Sequence, residues 1–444
     1  MLVILGILGV TFFGFLLTIL LVPKISLMSR IALGYLLGIG LITLFMFLGY
    51  LAGLRFTFEN TFHILIYSIL SLITPAFILR KRIEIKENFK DVFRFFKEIS
   101  FFEKIIFGAI LFFLLMSLVF NIYYPVGAWD ALALYDWRAK IFIDTGGMEE
   151  GIARGFFFGH PFMTSLAHTF VYLFGGKNPQ FIYSLIFIAF ATLFYEALRE
   201  FTSRKISLLI TLVLITIPGI LEHSAMAYTN LPFTVYFLMG TIYLYIWMVK
   251  QKSGYLVLSA FLTGLSTWIR SSEPFWMVNL GVLILYCLWK RKFLVPIFYF
   301  LIFFPIQQPW KIFEAKMIGV QYSTAGTIQA GISIFATKFN ILRMGEIVYY
   351  VFSNVILPSI LFFGLFLLVV LIQIKEIYKE KNFWFFIFLF GDLFLILVGS
   401  YMFSFFYPEW KEVPGSLVRM VMFIPPLILY YFGISDAVKR IFEK

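Results

Sequence analysis

Residues 32–53 read ALGYLLGIGLITLFMFLGYLAG, and no charged side chain interrupts them. A helix needs about 20 mostly apolar residues to cross the hydrocarbon core of a bilayer, so this stretch predicts a membrane-spanning helix. Continuous apolar runs recur along the chain without the alternation that marks a β-barrel, so the sequence predicts an all-α polytopic membrane protein. We place thirteen spans, near residues 2–22, 32–53, 60–79, 101–121, 180–198, 206–221, 231–249, 255–270, 274–289, 293–308, 346–374, 382–405 and 417–435.

The composition of the 444-residue chain supports this class. Hydrophobic residues make up 61% and charged residues 14%, and mean hydropathy is +0.93. Soluble proteins are typically about 45–50% apolar and about 25% charged, so a soluble fold and a disordered chain are both excluded. The single cysteine, Cys287, excludes an intrachain disulfide and a metal cage of several cysteines. The net charge is +12, but no nucleic-acid-binding motif accompanies it, so nucleic acid is not an expected partner.

The basic residues predict how the chain is oriented. They cluster in residues 80–100, and cytoplasmic loops carry an excess of Lys and Arg. With that segment inside, alternation of the spans puts two thirds of the 36 basic residues on the cytoplasmic side. We therefore expect a multi-pass protein of the cell (plasma) membrane with long outer loops at 122–179 and 309–345. The mixed charges and aromatics of 80–100 are typical of an interfacial amphipathic helix.

The first outer loop carries the most chemically suggestive residues. Residues 123–140 read YYPVGAWDALALYDWRAK. Pro125 and Gly127 are expected to end the fourth span, and residues 131–143 have helical spacing. Asp130 falls at the start of this predicted helix, near the membrane surface. It could act as a general base for an acceptor hydroxyl, or as the helix N-cap, a position that Asp favours, and the two roles are compatible.

The next charged residues of this loop have two interpretations each. Asp136 and Lys140 are four residues apart with the acid first, which favours a helical ion pair, and this structural role stands beside a catalytic one for Asp136. Asp130 and Asp136 could share a divalent metal, although a spacing of six does not put them on one helical face. Arg138 and Lys140 could bind a phosphate group through their positive charges. Alternatively, both side chains could extend towards the lipid headgroups.

Polar residues elsewhere are expected at the ends of spans. His160, beside Pro161, could bind phosphate, orient a sugar or serve as a structural interfacial residue. Arg419 lies at the mouth of the last predicted span, where a lone cation is costly unless it is paired. His168 is expected on a packed face, and Asp392, inside a span, is assigned to a structural hydrogen bond. Three further polar residues are expected at predicted span ends, where each is either interfacial or part of the lining of a cavity beside the first outer loop. They are Glu222, His223 and Glu273.

The order of the loop motifs resembles that of the GT-C membrane glycosyltransferases. It is similar above all to the family 39-like enzymes, which include protein O-mannosyltransferases and the aminoarabinose transferases of lipid A. The motifs are Trp129-Asp130, Tyr135, Trp137-Arg138-Ala139-Lys140, Gly146-Gly147 and His160-Pro161.

Three later stretches resemble the same family. Residues 227–232, AYTNLP, resemble a Tyr-Ala-Asp-Leu-Pro stretch, with Asn230 in place of the usual Asp. Residues 264–273, GLSTWIRSSE, resemble Gly-Leu-Ala-x-Trp-x-Lys-x-Glu, with Arg270 shifted relative to the usual Lys. Residues 416–420, SLVRM, resemble a Ser-Leu-x-Arg segment before the last span.

The resemblance covers residues 101–435 and implies a fold and an activity. Residues 101–444 would form a GT-C-like catalytic core, to which the three spans and the amphipathic segment of residues 1–100 are an addition. The protein would be an inverting glycosyltransferase, moving a hexosyl or pentosyl unit from a polyprenyl-phosphate carrier to an acceptor glycan, lipid or protein on the extracytoplasmic face.

The same resemblance implies site roles. Asp130 and Asp136 would be catalytic, and no cofactor is implied, although a divalent metal remains possible. The alternatives are a lipid-linked sugar transporter or flippase and a non-catalytic membrane subunit of a polysaccharide assembly system. The residues expected to bind substrate are Tyr135, Arg138, Lys140, His160, Asn230, Arg270, Glu273 and Arg419.

Overall fold

The computed structural model is helical throughout its described part, with no strand in these residues. Glu273 and most of the predicted amphipathic segment 80–100 lie outside this part. The described residues are 1–22, 25–79, 97–153, 160–270, 274–319, 324–373 and 379–442.

The helices follow one another with short connections. The first group is α1 (Leu2–Leu21), α2 (Leu27–Leu51), α3 (Phe58–Leu79) and α4 (Phe101–Tyr123). The outer loop contributes a π-helix (Ala131–Asp136), α5 (Trp137–Thr145), α6 (Glu149–Ala153) and α7 (Met163–Leu173). The middle group is α8 (Phe181–Arg199), α9 (Arg204–Ile215), α10 (Pro218–His223), α11 (Asn230–Lys250), α12 (Ser253–Ile269), α13 (Trp276–Trp289) and α14 (Leu294–Ile318). The last group is α15 (Thr324–Thr337), α16 (Ile341–Val351), a second π-helix (Phe352–Ile356), α17 (Ile360–Ile372), α18 (Glu380–Phe406), a 3₁₀ turn (Trp410–Glu412), α19 (Pro414–Met420), α20 (Ile424–Ile434) and α21 (Asp436–Phe442).

The helices of the described residues support a membrane-spanning architecture. Seven of them are long and apolar enough to cross a bilayer, and the pair Ile341–Ile356 and Ile360–Ile372, bent by 96°, would add an eighth. Shorter apolar helices cover Ser253–Ile269, Trp276–Trp289 and Ile424–Ile434. The predicted helical membrane class is confirmed, and the predicted count of thirteen spans stays a prediction.

Local sequence explains where the helices around the outer loop begin and end. Ser100 and Glu103 form a capping box at the start of α4, in which each side chain accepts a hydrogen bond from the other's backbone amide. Tyr124 is extended, as the residue before a proline prefers, so α4 ends at Tyr123, two residues beyond the predicted span and before Pro125. Gly146 takes a φ of +68°, the left-handed conformation that lets glycine end α5.

Glycines bring α1 and α2 into close contact. A Cβ atom added to Gly14 would lie 2.0 Å from the carbonyl oxygen of Gly34, and one added to Gly38 would lie 2.1 Å from that of Val10. Small residues at such crossings allow two helix backbones to approach closely in a membrane. The N-terminal helices are therefore joined by backbone-to-backbone packing.

The second helix lies inside the bundle, next to helices of the predicted core. The Tyr35 hydroxyl donates to the Ile182 carbonyl of α8 at 3.2 Å, and the Trp268 indole of α12 donates to Thr43 at 3.2 Å. The Tyr236 hydroxyl of α11 donates to the Leu36 carbonyl at 2.5 Å. Residues 27–51 therefore share one hydrophobic core with residues beyond 101.

Several basic segments meet at one end of the bundle. Glu200, just after α8, forms ion pairs with Lys250 at 2.5 Å and with Lys252 at 3.1 Å. Arg204 forms one with Glu103 at 2.9 Å. These contacts join segments that the positive-inside rule predicts to be cytoplasmic. Asp130 and Arg270 follow the opposite ends of α4 and α12.

Candidate functional site

The candidate site is formed where several distant segments converge. They are the start of the outer-loop helix, the turn that follows α10, the C-terminal end of α12, and α19. Each contributes a charged or aromatic side chain that approaches the others.

An ion pair between Asp130 and Arg419 joins the first outer loop to α19. Oδ2 of Asp130 lies 3.0 Å from Nη1 of Arg419, and the two side chains are 37% and 34% exposed. The N-cap interpretation of Asp130 is wrong, because Trp129 and Asp130 are already helical and the Asp130 side chain makes no capping hydrogen bond. A charge-assisted hydrogen bond to a guanidinium is stronger than a hydrogen bond to a neutral backbone amide. This explains why the Asp130 side chain pairs with Arg419 instead of capping the helix.

Tyr228 contacts both members of this ion pair. Its hydroxyl accepts a hydrogen bond from the backbone amide of Asp130 at 3.3 Å. Its ring centroid lies 5.5 Å from the guanidinium carbon of Arg419 and 5.8 Å from the His223 ring. Tyr228 thus connects the first outer loop, α10 and α19.

Tyr135 extends the cluster towards His160. Its hydroxyl lies 3.1 Å from Oγ1 of Thr229, and its ring stacks on that of His160 with centroids 6.4 Å apart and 26° between the planes. Burial raises the pKa of Tyr135, while the charges of Arg270 and Arg138 oppose that change. The structure therefore brings Tyr135, Arg138, His160 and Arg270 together, as the sequence predicted.

Arg138 points into the protein and is only 1% exposed. Its Nη1 donates to the His160 carbonyl at 3.4 Å, and its guanidinium carbon lies 5.7 Å from the Phe162 ring centroid. Burial lowers its pKa to about 10, so it remains a cation at neutral pH. The snorkelling interpretation is wrong for Arg138, because the side chain does not extend towards solvent.

The half-buried His160 and the buried His223 face the same cations. Burial, then Arg270 and Arg138, hold the pKa of His160 well below its usual value. Burial, then Arg419 and Arg270, lower the pKa of His223 to about 4. Nδ1 of each ring is buried and has no hydrogen-bond partner within the described ranges. Both rings are therefore neutral at pH 7, and an anion entering here would meet several arginines and few acids.

Asp136 belongs to a second, buried network. It pairs with Lys140 at 2.8 Å, which confirms the predicted helical ion pair, and it also contacts Nδ1 of His168 at 3.2 Å and the Tyr172 hydroxyl at 2.5 Å. His168 is buried as expected, but its Nε2 also lies 3.0 Å from the Tyr183 hydroxyl. Burial raises the pKa of Asp136, and the bonds to His168, Lys140 and Tyr172 outweigh burial and hold it below its usual value.

Hydrogen bonds beneath the site hold the segment that leads to Tyr228. Asn121, near the end of α4, donates to the Ser184 hydroxyl and to the Ser224 carbonyl, both at 2.6 Å. The Gln180 amide donates to Asn121 Oδ1 at 3.0 Å and to the Ala225 carbonyl at 2.9 Å. These bonds fix residues 224–225, which lie between His223 and Tyr228.

Two further residues were predicted to bind substrate, Asn230 and Glu273, and only Asn230 is described by the structure. Asn230 is buried at the first residue of α11, beside Thr229. Glu273 lies outside the described residues, so its predicted role stays untested. Over the described ranges, no group of three or more His, Cys, Asp or Glu side chains could hold a metal ion.

Sequence reasoning named Tyr228 and Thr229 only as part of the AYTNLP stretch, without a site role, and left His223 as either interfacial or cavity-lining. The dipeptide Tyr228-Thr229 directly precedes an apolar run that is predicted to begin on the outer face. A polar dipeptide just before the start of a predicted helix on the outer face is the signal that could have identified these two residues.

Comparison of the chain with protein-family models, curated proteins and solved structures finds no match. Support for the site therefore comes from the chemistry and geometry of its own residues.

Proposed function

We propose that this protein is an integral-membrane glycosyltransferase that takes a sugar from a polyprenyl-phosphate carrier and passes it to an acceptor on the extracytoplasmic face. The observation that carries the proposal is the meeting of one carboxylate, Asp130, with Arg419 beside a cation-rich cluster at the ends of apolar helices. Such a cluster suits a lipid phosphate, because arginine makes forked hydrogen bonds to phosphate oxygens.

In this proposal the cations bind the donor phosphate. Arg419, at the more exposed edge of the site, contacts it first, and the buried Arg138 and the half-buried Arg270 supply positive potential behind it. Positive groups fixed before the reaction stabilise the negative charge that develops on the leaving phosphate. The lipid phosphate leaves with both electrons of the broken sugar–oxygen bond.

Asp130 acts as the base. Its carboxylate takes the proton of an acceptor hydroxyl while the hydroxyl oxygen attacks the anomeric carbon from the face opposite the phosphate. One carbon–oxygen bond forms, one breaks, and the proton stays on Asp130 until it passes to solvent. The products are the glycosylated acceptor with inverted configuration and the free lipid phosphate.

A nearby cavity offers space for a lipid chain. It has a volume of about 810 Å³ and lies among α2, α6 and α14, with apolar lining residues such as Leu51, Leu54 and Ile312. Phe313, in its wall, contacts Phe162 with ring centroids 6.0 Å apart, and Phe162 lies against Arg138. Phe162 therefore lies between Phe313, in the cavity wall, and Arg138 of the cation cluster.

The test is a transfer assay with the purified full-length chain and a panel of radiolabelled polyprenyl-phosphate sugars. We expect Asp130→Asn to lower transfer by about 100-fold or more, as loss of a general base does. Asp144→Asn is the matched control, because Asp144 is an exposed carboxylate of the same outer segment. Full transfer by Asp130→Asn would show that Asp130 is not the base. A loss of sugar transfer on addition of a chelator would show that a divalent metal takes part.

One observation favours a second candidate, a lipid-linked sugar flippase. Asp392 is fully buried inside the span Asn382–Phe406, and neither carboxylate oxygen has a hydrogen-bond partner among the described residues. Buried ionisable groups in spans often mark transport pathways. Translocation of a lipid-linked sugar in proteoliposomes, lost in Asp392→Asn and accompanied by no transfer, would favour the flippase. Neither transfer nor translocation would favour a non-catalytic subunit.

A further inference from the structure

Tyr228 contacts Asp130, Arg419 and His223. Its hydroxyl accepts a hydrogen bond from the backbone amide of Asp130, its ring faces the Arg419 guanidinium, and the same ring lies at 54° to the His223 ring. Neither its hydroxyl nor its ring contacts the carboxylate of Asp130. It therefore holds the two ends of the ion pair without competing for either charge.

A bound phosphate weakens this ion pair, because it shares the positive charge of Arg419 with the Asp130 carboxylate. Arg419 donates to Asp130 through Nη1, and its Nε donates to the Gly415 carbonyl at 3.2 Å. A phosphate that takes hydrogen bonds from Arg419 competes with the Asp130 carboxylate for them. Once that contact loosens, Asp130 and Arg419 need another support to stay in place.

We propose that Tyr228 is this support, a positioning residue that keeps the base and the phosphate ligand together while their ion pair opens around a bound lipid phosphate. The inference rests on the proposed function for the identity of the ligand. The ring holds Arg419 through a cation–π contact, which does not depend on Asp130. The hydroxyl holds the backbone of Asp130, which leaves the carboxylate able to turn towards an acceptor.

The two parts of Tyr228 predict two different defects. Tyr228→Leu removes the ring, so binding of the probe farnesyl phosphate to the full-length protein in nanodiscs should weaken by about three- to fivefold. Tyr228→Phe keeps the ring, so binding should stay within about twofold, while kcat for sugar transfer should fall by about fivefold through the lost hydrogen bond. Tyr123→Leu is the matched control, because Tyr123 is 79% exposed at the end of α4, outside the cluster.

A double-mutant cycle decides whether Tyr228 acts through Arg419. If it does, Tyr228→Leu should cost nothing further in farnesyl phosphate binding once Arg419→Gln is present. Additive losses would overturn the proposal, because they would mean that Tyr228 acts on the phosphate by another route. A wild-type protein that binds no farnesyl phosphate would overturn it as well.

The outcomes also separate this inference from the proposed function. Sugar transfer by the wild type, with binding and turnover unchanged in both Tyr228 variants, would overturn the positioning role and leave the transferase intact. Non-additive binding losses with no transfer from any donor would support the positioning role and count against the transferase.

Discussion

At the scale of single residues, two aspartates six positions apart have different surroundings. Asp130 is partly exposed and shares its charge with one arginine, whereas Asp136 is buried and contacts a lysine, a histidine and a tyrosine. A base needs access to its substrate and freedom to change partners. Asp130 meets that need, and the fully engaged Asp136 is better suited to holding the outer-loop helix against α7.

The histidines of the site predict how stability responds to acid. Burial and the charges of Arg419 and Arg270 lower the folded-state pKa of His223 to about 4, below its usual value of 6.5, so between these values the unfolded chain binds more protons. Stability should therefore fall as pH is lowered from 6.5 to 4, by about 3 kcal/mol for this group. Thermal unfolding of the ligand-free protein in detergent across this range measures the effect.

The matching variant is His223→Gln, which cannot titrate. It should reduce the dependence of the unfolding midpoint on pH and leave the part that is due to His160, whose pKa is also held well below its usual value. An unchanged slope in His223→Gln would contradict the assignment.

The sequence identified most of the candidate site at this scale, for a physical reason. Charged residues beside apolar runs are easy to notice, so Asp130, Arg138, Arg270 and Arg419 were predicted and are found around one cluster. Tyr228 was given no site role, because tyrosine is common at membrane interfaces and its role depends on contacts between distant segments. Such contacts leave no trace in the order of residues.

At the scale of elements, the outer-loop helix was predicted from its spacing, but its first part is a π-helix. Residues 131–136 form i→i+5 hydrogen bonds before α5 continues from Trp137. A run of apolar and polar residues does not distinguish this wider turn from an α-helix. π-helical segments are frequent at functional sites, and here one lies between Asp130 and the buried Asp136.

The crossing of α1 and α2 allows a direct test of helix packing. Gly14→Ala would place a methyl group 2.0 Å from the Gly34 carbonyl oxygen, so the helices must separate. We expect the free energy of unfolding to fall by about 1–3 kcal/mol. Gly108→Ala in α4 is the matched control, because no atom lies within 4 Å of its added Cβ. Equal stability of the two variants would show that the close crossing does not form.

At the scale of the whole molecule, the division of the chain into an added N-terminal part and a core is less sharp than the sequence suggested. α2 hydrogen-bonds to α8, α11 and α12 and is buried along most of its length. Apolar composition predicts that a helix enters the membrane, but it carries no information about which neighbours the helix packs against. The span count and the packing partners were for that reason the parts least accessible from sequence.

The predicted orientation can be tested with introduced cysteines, because the single native cysteine, Cys287, is buried. A membrane-impermeant maleimide added to intact cells should label Asp144→Cys, in the exposed outer segment. It should label Lys290→Cys, at the basic end of the bundle, only after permeabilisation. The reverse pattern would place the site in the cytoplasm and end the proposal of an extracytoplasmic reaction.

The ion pair between Asp130 and Arg419 also sets an order of events during synthesis. Its partners are 289 positions apart, so Asp130 is synthesised early, while Arg419 is still to be translated. A nascent chain that has inserted α1 to α18 lacks this contact. The enzyme we propose would thus remain inactive during synthesis. It would not use the carrier lipids around it until α19, which carries Arg419, has been made.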